Sequence, residues 1–167
     1  MKPIIDLFWQ ICLLRQSPAH VPTFGWFVGL VVAANVLSSA LVTVTFDSDL
    51  TLLESLTSII VGQTATAGLV LLALSIRNLG QRFVTTITAI FGCDLLITAI
   101  FGLVLPMATL LGQTALNLLF LGFLIWSVAV AGFIMHRALG VQLAIGVAVA
   151  MGISLVSVMF SQLAIGA

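Results

Sequence analysis

Apolar residues run through this chain in long unbroken blocks, not in the alternating pattern of half-buried strands. A helix needs about 20 such residues to cross roughly 30 Å of hydrocarbon. Five blocks are that long: residues 24–44, 56–76, 83–105, 114–135 and 141–163. At ~1.5 Å of rise per residue, each covers the apolar thickness of a bilayer. A transmembrane barrel would instead show segments of about 10 residues alternating apolar and polar. The pattern predicts an all-α integral membrane protein whose five transmembrane helices form a bundle over residues 24–167.

Short polar connections separate the blocks. Residues 45–55 carry Asp47, Asp49 and Glu54, and residues 77–82 read RNLGQR, with Gly80 a helix stop. Residues 106–113 hold Pro106 and Gly112 and read as a loop, and residues 136–140 read HRALG. None is long enough for a folded extramembrane domain.

Residues 1–23 are a segment of another kind. IIDLFWQICLLR (residues 4–15) is apolar apart from Asp6, Gln10 and Arg15. Asp6 and Gln10 are one turn apart and share a helix face. Trp9 suits the headgroup level. Pro18 and Pro22 then interrupt the chain before the first span. The segment is expected to form a short amphipathic helix lying in the cytoplasmic interface, anchored by Trp9. It does not read as a signal peptide, since Gln10 breaks the apolar run and no small-residue cleavage pattern follows.

Composition supports the membrane reading. Apolar residues make up 62% of the 167 and charged residues 6%, against about 25% charged in a soluble domain. The formal net charge is zero. A nucleic-acid partner needs a basic surface, which is lacking. An ordinary soluble enzyme needs a more charged surface. The expected partners are the lipid bilayer and other membrane-protein subunits, or a second copy of the chain, with no soluble substrate evident.

The five basic residues, Lys2, Arg15, Arg77, Arg82 and Arg137, all fall on one side of the expected bundle. The opposite connections carry acids and no Lys or Arg. The positive-inside rule then sets the N-terminus in the cytoplasm and the C-terminus outside a multi-pass cell (inner) membrane protein.

Candidate chemistry is sparse. Cys12 precedes the first span and Cys93 lies within the third, so the two are expected to stay apart as free thiols. His20 and His136 sit near the cytoplasmic side, and His136 beside Arg137 is expected to cap the last carbonyls of the fourth span. No catalytic set, metal-ligand cluster or cofactor-binding motif is visible. No metal or cofactor is expected, and the chain does not read as an enzyme.

One acid lies within the spans, Asp94 at the midpoint of the third. A charge there costs at least ~2.5–3.5 kcal/mol on insertion scales. Other polar residues are expected near the same depth: Asn35, Gln63, Thr66, Thr98, Ser127 and Ser154. Asp94 is expected to face the bundle interior, with Gln63 its first partner and Asn35 its second. A neutral Asp94 donating to either would pin helices together at ~0.6–2 kcal/mol per bond. A proton- or cation-sensitive site is the functional alternative. Gly25 and Gly29 form a GxxxG pattern suited to close helix packing, and Gly62 with Thr66, Ala65 with Gly68, and Gly146 with Ala150 and Gly152 offer further close-approach faces.

Two blocks carry a family resemblance. LFWQICLLRQSPAHVP (residues 7–22) contains Leu-Leu-Arg-x-x-Pro. WSVAVAGFIMHRALGVQLAIGVAVAM (residues 126–151) contains a Trp, then a Gly, then a His/Arg hinge before the last span. With the five-span layout, they resemble the Yip-like (Rab-interacting-protein-like) membrane superfamily, in particular its small bacterial members. The resemblance implies a five-helix bundle with a short cytoplasmic N-terminus and brings no catalytic residues. The function expected from the sequence is that of a scaffold or accessory subunit of a membrane complex. The alternative is a small proton- or cation-linked transporter or channel centred on Asp94 and Gln63, which would require a water-accessible cavity at the midplane.

Overall fold

A computed structural model of the chain describes residues 2–18, 21–46 and 52–166. His20, Asp47 and Asp49 lie outside the described residues. Within them the chain forms six α-helices and no strand: α1 (Lys2–Cys12), α2 (Gly25–Phe46), α3 (Leu52–Ile76), α4 (Phe83–Leu111), α5 (Gln113–Leu139) and α6 (Leu143–Gly166). The helices α2 to α6 are long and apolar enough to cross a membrane. This is the all-α membrane class that the unbroken apolar blocks predict. In hydrocarbon only a helix satisfies its own backbone groups, so each apolar block becomes one.

Two helix boundaries differ from the expectation. Residues 106–111, read as loop, continue α4 through Pro106 to Leu111. Proline removes one backbone donor, but no water competes for the neighbouring groups inside a bilayer, and the following residues are good helix formers. The chain reverses at Gly112 instead, whose φ of 98° a side chain would disfavour. Residues 52–55, also read as connection, already belong to α3.

The five long helices close into a ring. Going round it, α2 packs on α4, α4 on α5, α5 on α6, α6 on α3, and α3 back on α2. The tightest seam joins α5 and α6. A Cβ on Gly146 would stand 2.6 Å from the Gly132 carbonyl oxygen and 2.7 Å from the His136 nitrogen. At one end of the ring Arg82 donates from Nη1 to the Ala138 carbonyl at 3.2 Å. A cation at a helix C-terminus is favoured by the exposed carbonyls. His136 lies in that last turn too, yet its Nδ1 meets the Val141 carbonyl beyond the Gly140 turn rather than a carbonyl within α5.

The short amphipathic helix is present as α1, and its apolar face meets protein. Phe8, Ile11 and Cys12 are buried. The Phe8 ring lies on Gly92, where a Cβ would come within 2.3 Å of it, and stacks on Phe27 with centroids 6.4 Å apart. Trp126, the midpoint of α5, donates its indole N–H to the Cys12 carbonyl at 3.0 Å. Trp9 meets Trp126 edge-on at 6.3 Å and stays partly exposed. The expected separation of the cysteines is therefore overturned. Cys12 Sγ is 3.9 Å from the Cys93 carbonyl and Cys93 Sγ is 3.9 Å from the Phe8 carbonyl. Gly92 provides the reason: without a side chain there, α1 seats deep in the face of α4.

The GxxxG pattern is corrected as well. Gly25 and Gly29 are exposed, and an added Cβ at either would meet nothing within 4 Å. Both lie at the start of α2, on a face turned away from the other described helices. Close backbone approach falls on Gly132, and on Gly146 as expected from the sequence.

Candidate functional site

Of the expected polar positions, Asp94, Gln63, Thr66, Ser127 and Ser154 line a cavity of about 320 Å3 within the ring. Every long helix contributes to its wall: Ser39 from α2, Ser58, Gln63 and Thr66 from α3, Asp94 from α4, Ser127 from α5, and Ser154, Ser157 and Ser161 from α6. Asn35, fully buried, stands behind Gln63 and Asp94 and joins them.

The hydrogen bonds run in one direction through this group. Asn35 Nδ2 donates to the Phe91 carbonyl at 2.9 Å and to Asp94 Oδ2 at 3.0 Å. A backbone carbonyl can only accept, so the amide nitrogen of Asn35 must face it. The Asn35 oxygen is thereby turned towards α3, where Gln63 donates to it from Nε2. This in turn leaves Gln63 Oε1 buried with no partner among the described residues. The order is Gln63 to Asn35 to Asp94. Gln63, the expected first partner of Asp94, reaches it only through Asn35, because Asn35 lies closer on the neighbouring helix. Asp94 also accepts in this arrangement, where a donor role was expected.

The chain of bonds thus ends in acceptors. Asp94 receives one hydrogen bond, and Gln63 Oε1 receives none among the described residues. A buried acceptor without a donor costs roughly 1–3 kcal/mol.

The remaining polar positions divide between two places. Thr66 donates to the Gly62 carbonyl at 2.9 Å and its oxygen pairs with the Ser157 hydroxyl at 2.8 Å, tying α3 to α6 along one wall. Ser58 and Ser161 pair at 2.6 Å further along the same seam. Thr98 does not join the Asp94 group. It lines a second cavity of about 290 Å3 that shares Ser39, Asp94, Ile97 and Ser127 with the first. The inner face expected for the third span, Ile90, Phe91, Asp94, Ile97 and Thr98, lines one or other of these two spaces.

Several wall residues went unnoticed in the sequence: Ser39, Ser58, Ser157 and Ser161. A signal for them existed. Ser154, Ser157 and Ser161 recur at helical spacing on α6, as do Ser58, Gly62 and Thr66 on α3, so each set marks one face. Among the described residues no group of His, Cys, Asp and Glu is arranged to hold a metal ion. No family model matches the sequence, and no curated protein or solved structure is significantly similar to it.

Proposed function

We propose that this membrane protein is a small proton- or cation-linked transporter or channel that acts through Asp94. The observation that carries this reading is the cavity within the helix ring, with Asp94, Gln63 and several serine and threonine hydroxyls in its otherwise apolar wall. Intramembrane carboxyl groups are costly, and where they occur they face water-filled spaces and mark ion or proton pathways. The scaffold or accessory role expected from the sequence rested on the lack of any site with chemistry of its own, and the cavity supplies one.

The reading carries an orientation and a location. The basic residues Arg77, Arg82 and Arg137 lie at the end of the ring where α3 hands over to α4 and α5 to α6. Under the positive-inside rule that end is cytoplasmic, the N-terminus is cytoplasmic and the C-terminus is outside. A bacterial inner membrane fits this charge asymmetry and the Yip-like resemblance.

The test is flux into proteoliposomes containing the full-length protein, with an internal pH-sensitive dye and an imposed cation gradient. Wild-type protein should change the internal pH or cation content faster than empty vesicles. Asp94→Asn keeps a donor and an acceptor but cannot titrate. It should abolish the flux while leaving helicity and thermal unfolding unchanged. Equal flux through wild type and Asp94→Asn would overturn the reading, as would none through either.

A further inference from the structure

The two cavities meet at Asp94. The first carries Gln63 and serine and threonine hydroxyls in a wall that is otherwise apolar. The second runs on from Asp94 towards the Gly112 end of α4, between α2, α4 and α5. Its direction follows from its lining. On α4 it advances from Asp94 to Phe101, on α5 it recedes from Ser127 to Phe120, and on α2 it advances from Ser39 to Thr43, all towards the same end of the ring.

This second space is aromatic. Phe101, Phe120 and Phe123 line it, with Phe101 and Phe123 centroids 5.3 Å apart and Phe101 and Phe120 6.4 Å apart. A naked metal ion would gain little from such walls, since hard cations take oxygen ligands. A hydrocarbon chain would gain from them, and aromatic rings also attract ammonium groups. At the junction, Asp94 offers charge complementarity.

We infer that the two cavities form one bipartite site for a protonated alkylamine. Its ammonium group sits at Asp94 where the two spaces meet, and its alkyl chain lies among Phe101, Phe120 and Phe123. The inference rests on the cation reading of Asp94 given above and deepens it by naming the cation as organic. The ammonium brings the N–H donors that the chain of acceptors lacks. A primary ammonium has three of them to offer the Asp94 carboxylate. Pairing also neutralises the charge inside the bilayer, where an isolated ion is costly.

The test is isothermal titration of full-length protein in nanodiscs of zwitterionic lipid, with the heat from empty nanodiscs subtracted. The probes are methylammonium, hexylammonium and hexanol. Hexylammonium should bind saturably and at least tenfold tighter than methylammonium, and hexanol should neither bind saturably nor compete. Phe101→Ala should bring the hexylammonium affinity down towards that of methylammonium. Asp94→Asn should lower the affinity for both ammonium probes at least tenfold. Methylammonium binding as tightly as hexylammonium would overturn the bipartite site and leave the cation reading standing. Hexanol competing as well as hexylammonium would overturn the role of charge and so the inference. Saturable binding of neither ammonium probe would overturn the inference together with the organic-cation role of Asp94, while inorganic flux in proteoliposomes tests the broader reading separately. The ligand series on wild-type protein decides the matter even if a variant fails to fold.

Discussion

Asn35 reaches Asp94 with the same amide nitrogen that it offers to the Phe91 carbonyl, at 3.0 and 2.9 Å. One side chain thereby holds α2 against α4 at two points three residues apart, and fixes which atoms face the cavity. Because the carbonyl accepts only, neither amide in the group can turn over without breaking a bond. Rigidity of this kind suits a site whose acceptors must stay aimed at an incoming donor.

The first prediction separates holding the bundle together from function. Asn35→Leu removes the bonds to Phe91, Asp94 and Gln63 at once. Interhelical bonds in membranes contribute ~0.6–2 kcal/mol each, so the loss should exceed about 1 kcal/mol in total. Asp94→Asn should stay within about 1 kcal/mol of wild type, because the amide can still accept from Asn35. Reversible unfolding in mixed micelles measures both. An Asn35→Leu protein as stable as wild type would mean that the bonds contribute nothing to the bundle.

A second prediction concerns the seating of α1. Each cysteine sulfur lies 3.9 Å from a carbonyl of the other's helix, so the two thiols are neighbours. A membrane-permeant thiol oxidant such as diamide should convert them to an intramolecular disulfide. Intact-mass measurement would read the loss of two hydrogens, and peptide mapping would join Cys12 to Cys93. If both thiols instead remain fully alkylatable after oxidation and denaturation, α1 does not dock on α4 as described.

The glycines give a third, paired prediction. Ala at Gly146 would press on the backbone of Gly132 and His136, which cannot swing aside as a side chain can. Overpacking of this sort costs typically about 1–3 kcal/mol, and the rigid neighbours put Gly146→Ala at the upper end. Gly29→Ala meets nothing within 4 Å and should be neutral or stabilising by up to about 1 kcal/mol. Equal destabilisation by the two would contradict the packing of α5 on α6.

The fourth prediction tests orientation. A reporter active only outside the cytoplasm should be active when fused after Ala167 and inactive when fused between Arg77 and Arg82. A cytoplasmic reporter should give the opposite pattern. Reversed activities would overturn the orientation while leaving the helix ring intact.

By itself the sequence determined the class of this protein and the number of its long helices. Hydrocarbon leaves the backbone no partner but itself, so five apolar blocks of sufficient length become five helices. It also pointed to Asp94, Asn35 and Gln63, because polar side chains within such blocks are too costly to face lipid. What it could not determine was which helices are neighbours. Apolar surfaces all read alike along the chain, and their pairing depends on local shape, such as the bare backbone of Gly92, Gly132 and Gly146. Tertiary structure alone decided that α1 docks on the bundle, that Cys12 meets Cys93, and that Asn35 lies between Gln63 and Asp94. It also decided that the serines of four helices converge on one cavity. A ring of helices brings together faces far apart in the chain, and only their packing in three dimensions fixes which faces those are.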